Sequence, residues 1–251
     1  MYAGSAMDAS PSSASGCADR RERRSVVLRT VRRGAETIAW PPRTVRIDAD
    51  VYVVAGSAAP TAPVDPGTEP FSVELPIADA AVAGASHFTQ ALRPMDGAVG
   101  RTLNELARST QPGRRVVATA ETAATLWADL LAEEQALRGR ATRIGCVKPG
   151  TREALFRRLL LSADYIHANF AEPLKVELLA EVSNLSPFHF ARLFALVMGE
   201  TPHAFLVRKR LAVARRLLAA GLGRGEVAER AGFGSRTTLF RHLREASATP
   251  S

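Results

Sequence analysis

Cysteine, lysine and long hydrophobic runs are all scarce in this chain of 251 residues, and each shortage removes a class of protein. The two cysteines, Cys17 and Cys146, are far apart and have no zinc-ligand spacing, so neither a disulfide framework nor a structural zinc site is expected. The chain fits a reducing cytoplasm. No stretch of about 18 apolar residues occurs, which argues against a transmembrane helix and against a membrane partner. The opening MYAGSAMDASPSSASGCADRRERR is small, polar and then charged, and lacks the apolar centre of a signal peptide. Of five histidines only His87 precedes Tyr165, so a three-histidine site cannot form in the N-terminal half; no metal and no other cofactor is expected.

What is present is a large apolar fraction, 46%, enough for a packed core, and a net charge of +8. The charge is uneven: residues 151–251 hold 15 basic and 9 acidic groups, leaving 18 and 16 for the rest of the chain. A basic region attracts polyanions, of which nucleic acid is the commonest. Only Lys148, Lys175 and Lys209 are lysines among 33 basic residues; the arginine fork suits phosphates and guanine edges, although codon composition gives the same bias.

Texture divides the chain. Residues 1–24 bury almost nothing and read as a disordered tail. From Ser25 to Glu74, SVVLRTV, ETIAW, TVRID, VYVVAG and FSVEL are short, β-branched and bounded by Gly, Pro or Asp, the pattern of a sandwich or barrel. Between two of them, GSAAPTAPVDPGTEP reads as a Pro-rich loop outside any sheet. After Ala78 the period becomes helical, in AVGRTLNELARS and ETAATLWADLLAEEQALRG. Leu126, Leu130, Leu131 and Leu137 form a stripe, with Glu133 and Glu134 off it; the stripe either packs within its own domain or forms half of an antiparallel helical dimer contact. RATRIGCVKPG reads as a linker with a Pro-Gly stop. From Thr151 onward all is helical, beginning with a helix to about Phe170 that turns Leu155, Leu159, Leu160 and Ile166 inward. Seven helices are expected in these hundred residues. Thr201-Pro202 opens the longest, which ends near Ala220 before Gly221 and Gly223.

Within that helical stretch one segment is repeated. Ser186, Phe190, Arg192 and Phe194 run through SPFHFARLF; Ser235, Leu239, Arg241 and Leu243 run through SRTTLFRHL, forty-nine residues later. VELLAEVSN precedes the first copy and GEVAERAGF the second, but Ala180 and Ala228 are 48 apart, one residue short of that register. Each copy reads as helix, tight turn, helix. Asn184 and Gly232 tolerate the left-handed backbone that such a turn needs. Ser186 and Ser235 are placed to cap the second helices. Phe190, Leu193, Phe194, Leu239 and Leu243 share a core face. The opposite face carries Pro187, Phe188, Ala191 and Arg192 in one copy and Arg236, Thr237, Phe240 and Arg241 in the other.

Residues from about Leu160 to Pro250 resemble the DNA-binding domain of the AraC/XylS family of bacterial transcription regulators. The matching residues are Leu179-Ala180, Ser186, Phe190, Arg192-Leu193-Phe194, Gly199, Thr201-Pro202, Phe205, Arg210-Leu211, Ala214, Leu217-Leu218, Val227-Ala228, Ala231-Gly232-Phe233, Ser235 and Arg241. The resemblance implies two helix-turn-helix units joined by the helix from Pro202 to Ala220, with recognition helices in adjacent major grooves. Carried over by position, Phe188, Ala191 and Arg192, then Arg236, Thr237 and Arg241, would face bases. Two departures stand out: Leu243 replaces the usual Phe, and Ala248-Thr249-Pro250 lacks the Gly of the closing turn. The first copy is therefore expected to anchor on DNA and the second to contribute less.

The resemblance also implies an α+β chain: a small cupin-like β-sandwich with following helices, then an all-α domain with two helix-turn-helix units. The expected division is a tail at 1–24, a sensor or dimerisation domain at 25–145, a linker at 146–152 and the DNA-binding domain at 153–251. Expected partners are double-stranded DNA, a second copy of the chain and a small-molecule effector in the N-terminal half, with RNA polymerase as a further candidate. Trp40, Tyr52, Val53, Phe71 and Val73 are the candidate pocket walls. In the alternative, the N-terminal half only dimerises or binds a protein. No enzymatic activity is expected: an alkylation-repair enzyme of related architecture would need a zinc site or a Pro-Cys-His nucleophile, and neither occurs.

Overall fold

In the computed structural model, which describes residues 25–40, 43–56, 60–77, 88–145 and 148–248, the short β-branched segments form two sheets. The larger has strand order β7-β4-β1-β6-β8, with β1 Ser25–Arg33, β4 Val51–Gly56, β6 Glu69–Pro76, β7 Arg93–Pro94 and β8 Val116–Val117; the smaller has order β3-β2-β5, with β2 Ala35–Trp40, β3 Arg43–Asp48 and β5 Thr61–Pro63. All pairings are antiparallel except β6 with β8. The period of two sends alternate side chains to opposite faces. Val51, Val53 and Ala55 meet Ile38, Val45 and Ile47 between the sheets. Leu28, Tyr52, Val54, Phe71, Val73 and Leu75 face the other way, onto Val99, Leu103, Leu126, Trp127 and Leu130 of α1 (Ala98–Ser109) and α2 (Ala120–Ala141). The N-terminal half is therefore a two-sheet sandwich with a layer of helices on one outer face. Gly34 makes the β1–β2 turn at φ +77, and a Cβ there would lie 2.7 Å from Thr68 Oγ1.

Several expectations need correction. Part of the Pro-rich segment is a strand after all: β5 pairs with β2, and Pro63 is accommodated because β5 is an edge. Glu134, off the leucine stripe, is nonetheless buried: it is 6% exposed and binds Arg93, Arg138 and both the N–H and hydroxyl of Thr89. Glu133 accepts a hydrogen bond from the Tyr52 hydroxyl. In the leucine stripe, Leu126 and Leu130 are buried, whereas Leu131 is exposed. Pro149 does not stop a helix; it opens α3 (Pro149–Asn169) at the first turn, where its missing N–H costs nothing. The expected tail, His87 and the closing Thr249-Pro250 lie outside the described residues.

Six helices, not seven, occupy 149–248 among the described residues: α3, α4 (Val176–Val182), α5 (Pro187–Met198), α6 (Pro202–Ala219), α7 (Arg224–Arg230) and α8 (Arg236–Ala248). They share one core, centred on Phe156, Leu159, Ile166, Phe190, Phe194, Ala214, Val227 and Leu239. Gly199 ends α5 at φ +82, and the Thr201 side chain accepts from Ala204 N–H, with Pro202 in the first turn of α6. No single helix among the described residues is long and apolar enough to cross a membrane.

Candidate nucleic-acid interface

The two repeated units superpose bond for bond up to one point. In the first, Asn184 N–H donates to Glu181 C=O at 2.9 Å and Leu185 N–H to Ala180 C=O at 3.0 Å; in the second, Gly232 N–H donates to Glu229 C=O at 2.9 Å and Phe233 N–H to Ala228 C=O at 2.8 Å. Both turns put their pivot in the left-handed region, Asn184 at φ 50 and Gly232 at φ 76. Up to here the offset is 48. Then Gly234 intervenes before Ser235, whereas Ser186 follows Leu185 directly, so the offset becomes 49. The slipped register of the repeat is one extra residue in the second turn.

The turns are braced differently. Ser162 of α3 donates its hydroxyl to Leu179 C=O at 2.8 Å and contacts the Ser183 hydroxyl, which fixes the first unit from below. The second turn rests on the end of α3: a Cβ on Gly232 would lie 2.7 Å from Ala171 Cα and 2.9 Å from Phe170 C=O. Arg210 of α6 holds that same end, donating to Phe170 C=O and Glu172 C=O, both at 2.7 Å. Ser235 caps α8 as expected, accepting from Thr238 N–H at 3.1 Å. Ser186 does not cap α5 through its side chain; its carbonyl accepts from Phe190 N–H at 2.8 Å, and Pro187 presets the first turn.

Each expected base-facing residue can now be placed. Phe188 stands 82% exposed, with Arg192 exposed beside it and Ala191 half-buried. Arg236, Thr237 and Arg241 are exposed on α8. Arg241 lies 3.9 Å from Glu245, so part of its charge is answered within its own helix. Phe240 departs from expectation. It is half-buried against the core, with the Arg224 guanidinium 5.0 Å above its ring, which leaves little of it for a base. Sequence reasoning passed over Leu196, 43% exposed one turn beyond Arg192, and Arg244, exposed one turn beyond Arg241. The i+4 and i+3 spacings were the available signal.

Four of the five expected pocket walls are core: Tyr52, Val53 and Val73 are 0% exposed and Phe71 is 2%, and they divide between the two faces of the larger sheet, while the Trp40 side chain lies outside the described residues. A cavity of about 540 Å³ lies instead where the two halves meet. Leu92, Pro94, Met95 and Leu137 line it on one side, Leu160 and Phe205 on the other, and the Arg140 and Arg208 side chains also reach it. Burial, together with Arg143 and Arg208 nearby, holds Arg140 below the usual arginine range.

Beside the cavity the halves are tied by charge. Lys209 of α6 donates to Asp48 at 2.6 Å and to Asp50 at 3.0 Å, and Arg216 donates to Asp50 at 3.0 Å. Arg43 of β3 pairs with Asp164 of α3 at 2.8 Å. Burial tends to raise Asp48, but Lys209 and Arg216 outweigh it and hold the carboxyl below its ordinary value. At Asp164 burial wins over Arg43, and the pKa rises to about 7. His167, half-buried beside the cavity, is pushed down to about 3 by burial and then by Lys209.

Residues 179–250 match the sequence model of a helix-turn-helix domain. The DNA-binding domain of AdpA, a global transcriptional factor solved in complex with a target DNA, is 30% identical over 37% of this chain and 84% of its own, with a TM-score of 0.35. The C-terminal domain of AraT, a response regulator from Geobacillus stearothermophilus, is 26% identical over 37% of this chain and 78% of its own, TM-score 0.35. A transcriptional regulator with an AraC-type DNA-binding domain from Chromobacterium violaceum is 24% identical over 37% and 84%, TM-score 0.35. A comparison with curated protein sequences finds no match.

Proposed function

From the premise that this chain belongs to the AraC/XylS family of DNA-binding transcription regulators, we propose that it reads a two-part DNA site with α5 and α8, as a dimer whose N-terminal half responds to a small molecule. The observation that carries the reading is the pair of exposed helix faces mounted on a single α6. Phe188, Ala191 and Arg192 contact bases from the first unit, Arg236, Thr237 and Arg241 from the second, and Phe240 supports α8 from beneath. An arginine fork suits guanine O6 and N7, and an exposed ring suits a thymine methyl. The functional division is a sensor and dimerisation half at 25–145, a linker at 146–152 and a DNA-reading half at 153–251.

The dimer contact we assign to α2, whose outward face carries exposed, uncharged Ala124, Ala128, Leu131, Ala132 and Gln135. The effector site we assign to the cavity where the halves meet. Its volume falls within the usual range of small-molecule sites, its wall combines Leu92, Met95, Leu137, Leu160 and Phe205 with charged groups, and Arg140 and Arg208 can pair an acidic group of the ligand while Asp50, Asp96 and Asp164 line the rest. RNA polymerase is a further partner of this reading.

Selection of bound duplexes from a random pool tests it: the full chain should enrich two short motifs about one helical turn apart. Enrichment of a single motif, or of none, contradicts the two-part reading. Thermal-shift measurement of the full chain with a panel of organic acids tests the effector. Stabilisation by none of them, with DNA binding intact, favours a half that only dimerises or binds a protein.

A further inference from the structure

Lys209 is a lysine 3% exposed in a chain that uses only two others, and it belongs to the helix that carries both DNA-reading units. A buried ammonium is costly unless paired. Its partners are not in the DNA-reading half: Asp48 and Asp50 lie 161 and 159 residues earlier, at the turn between β3 and β4. Asp48 Oδ1 in turn accepts from Asp50 N–H at 3.1 Å, which holds the turn in shape. Arg216, two turns along the same face of α6, shares Asp50 Oδ2 with Lys209 at 3.0 Å and reaches Asp50 Oδ1 through Nε at 2.9 Å. Arg43–Asp164 adds a second fixed point, from the same strand β3 to α3. Two separated ion contacts fix an orientation, which a single one does not.

The helix-turn-helix units do not use this cluster themselves. Their turns are held by Ser162, Ser183 and Arg210, all within residues 149–248, and by a shared apolar core to which the N-terminal half adds only Ala91, Leu137, Ala141 and Ile144. The cluster constrains how the sheet half sits on α6. The exposed face of α2 belongs to that sheet half, so whatever fixes the sheet half on α6 fixes the angle and distance between the DNA-reading units of two copies.

We infer that Lys209, clasped by Asp48 and Asp50 and backed by Arg216, is a positioning contact that decides which spacing between two DNA sites the dimer accepts. The inference rests on the dimer of the proposed function. Base contacts are made by α5 and α8 and are untouched by the clasp, so a single site should be bound equally well with it or without it. Two sites on one duplex are another matter. With a rigid clasp, only spacers that put both sites at the right rotation along the DNA are bound jointly, and the preference should repeat with the helical turn of about 10.5 base pairs.

The test uses the full chain and a series of duplexes carrying two copies of the selected site, with spacers stepped by one base pair through a helical turn. Two variants are compared with the wild type: Lys209→Met with Asp48→Asn, which leaves a neutral pair of similar volume and keeps Arg216–Asp50, and Arg216→Asp, which places like charges together at a half-exposed position. Circular dichroism and affinity for a one-site duplex verify folding. The wild type should prefer its best spacer over its worst by at least tenfold. Both variants should flatten that ratio to about threefold or less, with one-site affinity within twofold of wild type. A variant that keeps the wild-type spacer profile overturns the inference. A wild type that binds one site well but is indifferent to spacing overturns it too. Loss of one-site binding in the wild type would instead strike at the DNA-reading assignment. Should the paired Lys209 and Asp48 substitutions fail to fold, Arg216→Asp alone decides.

Discussion

The two helix-turn-helix units share a backbone plan and differ in how freely their reading faces stand. In the first, Phe188 and Arg192 project side by side, and nothing on α5 shields them. In the second, Arg241 leans towards Glu245 of its own helix and Phe240 lies beneath Arg224 of α7, so part of the face is answered within the protein. The turns show the same division. The first pivots on Asn184, a residue with a side chain, and is braced by hydroxyls; the second needs Gly232, since α3 leaves no room for a Cβ. The second unit is thus the more dependent on its surroundings, and the first the freer to read.

The largest effect should come from that steric difference. Gly232→Ala places a Cβ at a positive φ and against the end of α3, and should lower stability by more than about 2 kcal/mol. Asn184→Gly, at the equivalent pivot, should change it by less than about 0.5 kcal/mol. Chemical denaturation of the two variants compares them directly; equal losses would remove the asymmetry between the turns. The caps come next. Ser235→Ala removes a side-chain cap and should cost about 1 kcal/mol, whereas Ser186→Ala should cost less than half of that.

A smaller effect concerns α3, which braces both units. Asp164 has a folded pKa near 7, above its ordinary 3.8, so the folded state holds that proton more tightly and stability falls as pH rises from about 4 to 7. His167, folded pKa about 3 against 6.5, works the other way: its contribution is complete above pH 6.5 and is lost as pH falls towards 3. The two slopes oppose each other between pH 4 and 6.5. Asp164→Asn should leave the histidine slope exposed, giving a melting temperature that climbs more steeply with pH across that window than in the wild type. Parallel profiles would mean that Asp164 does not titrate there.

Much of this was legible from the residues. Short β-branched segments bounded by Gly, Pro or Asp marked β1 to β4 and β6, and the repeat marked both reading units, because composition and repetition are local properties. The two-residue strands β7 and β8 carry no period to detect, and β5 was hidden by prolines that only an edge tolerates. The buried charged groups, within the sheet half and where the halves meet, could not be foreseen. Lys209, Asp164 and Glu134 look like surface residues until the fold brings Asp48, Arg43 and Arg93 to them from distant parts of the chain. For the same reason Tyr52, Val53, Phe71 and Val73, which read as pocket walls, are core, and a cavity lies at the border with the helical half. The one-residue slip in the repeat was visible in the sequence, but its cause, an inserted Gly234, needed the hydrogen bonds of both turns.

The inequality of the two reading faces is most directly tested by measuring Arg192→Ala and Arg241→Ala on the selected two-part duplex and on random DNA, at one fixed salt concentration. Arg192→Ala should weaken specific binding by about 1–3 kcal/mol, roughly five- to 150-fold, with random-DNA binding nearly unchanged. Arg241→Ala should weaken it by less than about fivefold. Equal losses for the two variants, or the same loss on random and selected DNA for Arg192→Ala, would contradict the assignment of the first unit as the principal reader of bases.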